Sequence, residues 1–148
     1  MIVDVNSEIE IARPREDVAA YASDPDHVPD WHANIADVMW ESPPPLAVGT
    51  RISFVTEILS QRLTYTYQVT ELVQGELLVI STEEGPFPIE TTYTWEEAPG
   101  GNTVMRLRNR GEPIGLGKKM SARLLARSIR RANEADLRRL KEILESQP

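Results

Sequence analysis

Between residues 35 and 110 the chain reads as one strand after another, each joined to the next by a turn too short for a parallel return. A parallel crossover needs a dozen or more residues, so these strands must pair antiparallel. Residues 35–41 form the first strand and end at Pro43-Pro44-Pro45; Gly49 opens the next, with Ile52, Phe54, Thr56 and Ile58 on one face. After a tip at Ser60-Gln61, Leu63, Tyr65, Tyr67 and Val69 alternate with Thr64, Thr66, Gln68 and Thr70. Gln74-Gly75 turns the chain into residues 77–83, and Gly85-Pro86 breaks that strand. Ile89, Thr91, Tyr93 and Trp95 then alternate with polar neighbours, and Gly100-Gly101 signals a further hairpin. In the last strand Met105, Leu107 and Asn109 face one way, and Arg106, Arg108 and Arg110 the other.

The flanks supply what such a sheet needs to be covered. Val3, Val5, Ile9 and Ile11 alternate with Asp4, Glu8 and Glu10, the pattern of a half-buried strand. Pro14, followed by Glu16 and Asp17, suits the first turn of a short helix that Asp24-Pro25 stops. A second short helix or turn is expected over residues 26–31. Residues 111–117 hold three glycines and Pro113 and read as a loop; the glycines at 111, 115 and 117 are expected to form the rim of any opening. From Lys118 to about Ser146 nothing breaks a helix, and the segment would run about 42 Å. Leu125, Ile129, Ala132, Asp136, Leu140 and Ile143 recur at helical spacing, as do Asn133, Leu137 and Leu144, giving one broad buried face. The expected fold is α+β: a curved antiparallel sheet of about seven strands around a long C-terminal helix, with two short helices after the first strand. Residues 1–148 are expected to form one domain. A curved sheet cannot touch a straight rod everywhere, and the gap between them is a pocket.

Composition narrows the function. There is no cysteine, which excludes disulfides and thiol chemistry and makes a cytoplasmic setting the default. No run approaches the roughly 20 apolar residues of a transmembrane helix, and Met1 leads straight into a strand rather than a signal peptide. The net charge is −7. Residues 1–112 carry 19 acids and 7 bases, and residues 113–148 carry 4 acids and 9 bases. An acidic body opposes approach to nucleic acid. His27 and His32 are the only histidines, so no metal site is expected, and no cofactor motif is present.

The order of short motifs resembles the START-like (helix-grip) superfamily, in its polyketide cyclase/dehydrase and lipid transport branch. Pro14 and Val18 resemble that branch's first helix, and Tyr21-Ala22-Ser23-Asp24-Pro25 its exit. Pro29-Asp30-Trp31-His32-Ala33-Asn34 resembles its second-helix signature. Gly49-Thr50-Arg51, Gly85-Pro86-Phe87 with Thr92-Tyr93, and Gly100-Gly101 sit where its turns sit, while Ala135-Asp136-Leu137 and Leu140-Lys141 resemble the close of its final helix. One departure is Ala19, where a large aromatic is often found. The resemblance implies a cavity for a hydrophobic small molecule rather than a particular reaction.

The residues expected to line that cavity are Trp31, Ile35, Phe54, Tyr65 and Tyr67, then Ile89, Thr91 and Tyr93, and finally Met105, Leu107, Asn109, Met120 and Asn133. Tyr65, Tyr67, Tyr93 and Asn133 are either structural polar residues or donors to a carbonyl-bearing ligand. Trp31 is either a plug between elbow and sheet or a stacking surface. His32 is expected at the surface, because no acid is evidently placed to orient it; the alternative is a general acid or base. His32, Tyr65 and Tyr93 are thus the candidates for chemistry, none with a supporting motif. The cyclases of the branch resemble one another in an inward arginine, and none can be named here.

Residues 118–131 hold six basic side chains and no acid, with Arg123, Arg127, Arg130 and Arg131 on one side of the helix. This stripe reads as a solvated face, or as a patch for anionic lipid or an acidic partner. Three readings of function stand open. The first is a non-catalytic or weakly catalytic binding or transport protein for a lipid, polyketide or aromatic metabolite, monomeric or homodimeric. The second is a polyketide aromatase/cyclase or dehydrase. The third is an interaction module using the basic helix.

Overall fold

A computed structural model describes residues 2–58, 61–84, 88–112 and 121–147. The chain opens with strand β1 (Val3–Ile11), helix α1 (Arg15–Ala22), a 3-10 turn (Pro25–His27) and helix α2 (Val28–Trp31). Strands β2 (Ile35–Trp40), β3 (Arg51–Ile58), β4 (Gln61–Val73), β5 (Leu77–Glu84), β6 (Ile89–Glu97) and β7 (Thr103–Gly111) follow, then helix α3 (Ala122–Glu145). Among the described residues the strands form one antiparallel sheet in the order β1-β7-β6-β5-β4-β3-β2. Sequential hairpins account for every pairing except the first, where β1 closes onto β7 with Val3 opposite Gly111 and Ile11 opposite Thr103. The sheet is the curved seven-stranded one expected from the alternation.

Helix α3 lies across the concave face. Asn133, Asp136, Leu137, Leu140 and Leu144 are buried along it, and Leu125, Ile129 and Ala132 are half-buried. Its C-terminal half is tied to β1 and the residues after it. The Arg13 guanidinium donates to the Leu144 carbonyl at 2.8 Å, the Ala12 N–H donates to Glu145 Oε2 at 2.8 Å, and Lys141 Nζ donates to the Glu10 carbonyl at 2.8 Å. The outer sheet face carries ion pairs, among them Arg108 with Asp4 and Arg106 with Glu8 and Glu96. The bond from Arg108 holds the Asp4 carboxyl below its ordinary range. Among the described residues no helix is long and apolar enough to cross a membrane.

Several boundaries differ from those expected. The long helix starts at Ala122, not Lys118, because Ser121 is extended (φ −66°, ψ 154°) and caps it, its hydroxyl accepting from the Leu124 N–H at 3.2 Å. Lys118, Lys119 and Met120 lie outside the described residues. The elbow over 26–31 is two pieces: Asp24 accepts from the Asp26 N–H at 3.0 Å and starts the 3-10 turn, and α2 follows. Gly111 belongs to β7 rather than to a loop. A β-carbon there would stand 2.6 Å from the Pro88 carbonyl oxygen, so the close approach of chain to chain requires glycine. Gly111 is therefore held in the sheet, while Gly115 and Gly117, the rest of the expected rim, lie outside the described residues.

Candidate ligand cavity

Pairing along β6 and β7 shows how one inward face serves two purposes. Trp95 stands opposite Met105 and Tyr93 opposite Leu107; Thr91 stands opposite Asn109 and Ile89 opposite Gly111. The first two levels lie under the C-terminal half of α3, where Trp95, Met105, Leu107, Leu137, Leu140 and Trp31 pack into a core. The last two levels lie under the N-terminal half, where the sheet leaves a cavity of about 400 Å³. Strand β3 contributes Phe54 and Thr56 to its wall, β4 Tyr65 and Tyr67, and β5 Ile80. The elbow adds Val28, His32, Asn34 and Ile35, and α3 roofs it with Leu125, Ser128, Ile129, Ala132 and Asn133. Val3, Arg110 and Gly111 also border it.

Of the residues expected from the sequence, Ile35, Phe54, Tyr65, Tyr67, Ile89, Thr91, Tyr93, Asn109 and Asn133 come together at this cavity. Trp31, Met105 and Leu107 do not; they are 1%, 0% and 0% exposed and fill the core beyond its floor. Leu107 and Met105 share the inward face but sit one and two levels beyond Asn109, and Trp31 enters the core from α2. Met120 lies outside the described residues. Arg106 and Arg108 point outward into their ion pairs, and Arg110, read as outward, is exposed at the cavity's border.

The wall is mainly apolar, with a few polar groups set into it. Tyr93 forms the floor, stacked on Trp95 (ring centroids 6.2 Å apart) and edge-on to Trp31 at 6.4 Å. Tyr67 meets Phe54 edge-on at 5.6 Å. Burial pushes both phenols above their ordinary range; the neighbouring Tyr93 and Tyr65 hydroxyls add to the rise at Tyr67, and the Asp136 carboxylate to that at Tyr93. Both hydroxyls therefore keep their protons and can donate. Among the described residues neither has a hydrogen-bond partner, and the buried Asn133 Nδ2 has none either. Thr91, by contrast, is engaged, its hydroxyl donating to Asn109 Oδ1 at 2.7 Å.

His32 departs from its expected surface position. Its side chain is 19% exposed, and Nδ1 lies 2.9 Å from Oδ2 of Asp136, itself on the buried face of α3. The orienting acid is 104 residues away in the chain, so spacing gives no sign of it. The Ala33 N–H donates to the other oxygen of Asp136 at 3.1 Å. Among the described residues no group of three or more His, Cys, Asp or Glu is placed to hold a metal ion.

The basic stripe is exposed as the helix pattern implies. Arg123, Arg127, Arg130 and Arg131 make no ion pair among the described residues, although the sheet arginines nearly all do.

Comparison with known proteins agrees with this architecture. The family described as polyketide cyclase/dehydrase and lipid transport matches residues 3–145. No curated protein sequence matches significantly. Among solved structures, a START superfamily protein from Mycobacterium smegmatis superposes with a TM-score of 0.83 at 14% identity, over 96% of this chain and 97% of that one. A Thermus thermophilus protein gives 0.81 at 19% identity, over 97% and 99% of the two chains. The Zhui aromatase/cyclase from a Streptomyces species gives 0.79 at 15% identity, over 98% and 94%. At such identities the likeness is one of fold. The family match spans nearly the whole chain, and the chain belongs to the polyketide cyclase/dehydrase and lipid transport family.

Proposed function

We propose that the chain binds a hydrophobic small molecule bearing a carbonyl or similar acceptor group, with the apolar part under α3 and the acceptor near Tyr67, Tyr93 and Asn133. The supporting observation is the set of donors without protein partners in an otherwise apolar wall. Asn133 Nδ2 is a buried donor without a partner among the described residues, which costs about 1–3 kcal/mol and which a ligand acceptor would relieve. The cavity volume of about 400 Å³ falls within the range of small-molecule sites.

The test compares two ligands of one shape, 2-tetralone and tetralin, which differ by the carbonyl. Each is titrated against a solvatochromic dye held in the cavity. The ketone is expected to displace the dye more effectively. Tyr93→Phe is expected to weaken the ketone about 2–10-fold, one hydrogen bond's worth, and to leave tetralin unchanged. Equal loss for both ligands, or none for either, would remove the phenols from ligand recognition.

Arginines without an ion pair among the described residues favour a second, separate role for the outer face of α3: contact with an anionic membrane surface. Each cation near such a surface contributes about 1 kcal/mol. The protein is expected to sediment with anionic vesicles at low salt, and Arg123→Glu with Arg127→Glu to abolish this while dye binding persists. No sedimentation of the unmodified protein at low salt, where screening is weakest, would make the stripe an ordinary solvated face.

A further inference from the structure

Two groups on the cavity side, one buried and one half-buried, take no part in holding an acceptor. Asp136 is 2% exposed, and its Oδ2 faces the His32 imidazole, with no lysine or arginine paired to it among the described residues. A buried carboxylate needs hydrogen-bond partners, and among the described residues the Ala33 N–H and the His32 imidazole are the polar groups set against it. The Nδ1–H direction misses Oδ2, so the pair is a close contact and not yet a well-aligned hydrogen bond. Such alignments are often loose before a ligand is bound. With Nδ1 turned to Asp136, Nε2 on the far edge of the ring has no protein partner among the described residues, and His32 borders the cavity.

We propose that His32, oriented by Asp136, is a general base that removes a proton from the carbon next to the carbonyl of the bound molecule. The step needs no other reactant. The C–H electron pair becomes the carbon–carbon double bond of an enolate, and the carbonyl π pair moves onto oxygen, where the Tyr67 or Tyr93 hydroxyl donates to it. The proton rests on Nε2, and the imidazolium so formed faces the Asp136 carboxylate. Return of a proton from Nε2 to the same carbon reverses the step. The proposal rests on the carbonyl-binding reading of the cavity and takes it from binding to proton transfer.

The experiment dissolves 2-tetralone with the protein in D2O and follows loss of its C1 proton signal by NMR. Because Nε2 exchanges with solvent, each abstraction and return replaces hydrogen with deuterium. The unmodified protein is expected to accelerate the exchange above the buffer rate. His32→Gln is expected to lower the protein-dependent rate by about 100-fold or more, the usual contribution of a positioned base. Asp136→Asn retains an acceptor for the Ala33 N–H but loses the charge, and is expected to lower the rate about 10-fold. Dye displacement is measured on the same samples. A ketone that displaces the dye but exchanges at the buffer rate with the unmodified protein overturns the proposal and leaves the binding reading intact. Unchanged exchange in His32→Gln overturns it as well. A ketone that fails to displace the dye sinks the binding reading, and the proposal with it.

Discussion

Trp31→Ala is expected to lower the free energy of unfolding in urea by about 3–5 kcal/mol, with the slope of the transition unchanged. The indole is 1% exposed, lies against Tyr93 and belongs to the core beneath α2. Truncation removes most of its buried surface, and a well-packed interior relaxes only partly into the space. Trp31→Phe is expected to cost much less. The indole Nε1 is buried without a partner, so the smaller ring also removes an unsatisfied donor. A loss below about 1 kcal/mol for the alanine variant would mean that the elbow is not seated on the core.

Ala132→Trp is expected to weaken dye binding about 10-fold or more, roughly 1.4 kcal/mol, while unfolding changes by less than about 1 kcal/mol. Ala132 is half-buried on the side of α3 that roofs the cavity, so a large ring there has empty space to enter. The same enlargement at Ala22, 2% exposed in the core, would meet packed neighbours and is expected to destabilise by about 1–3 kcal/mol. The contrast separates a true hollow from a loosely packed core. Equal stability losses at the two positions, with dye affinity intact at 132, would mean that the roof of the site is elsewhere.

The sheet was legible because alternation and short turns leave few alternatives. Each strand from β1 to β7 occurs where alternation or the bounding turns place it, and α3 buries the face its spacing implies. Depth along that face was not legible. Tyr93 and Leu107 stand on adjacent strands with the same orientation, yet the first meets the cavity and the second only core. Alternation reports which face a residue occupies, and not how far it lies from the end of the roof. A register shift between Val69 and Glu71 had the same effect: beyond it Leu72, out of phase with Tyr67 and Val69, packs against the core. The His32–Asp136 contact was hidden for another reason. It joins the elbow to the last helix, and nothing local to either residue announces the other.

The two halves of α3 also differ in what holds them down. From Asn133 onward the helix rests on Leu137, Leu140 and Leu144 in the core and is tied to the first strand by Lys141 and to the residues after it by Arg13. From Ala122 to Ala132 it rests on a hollow, and its first turn is fastened by the Ser121 cap, an interaction of about 1 kcal/mol. Opening free energies along a single helix follow the buried contacts that each turn must give up. Among the described residues the first turns of α3 have fewer buried contacts to give up than the last, and their unwinding would uncover the hollow from above. A guest that fills the space supplies the missing contacts and raises that cost. Occupancy would thus set the lifetime of the closed roof, making release slow in proportion to how well the guest packs.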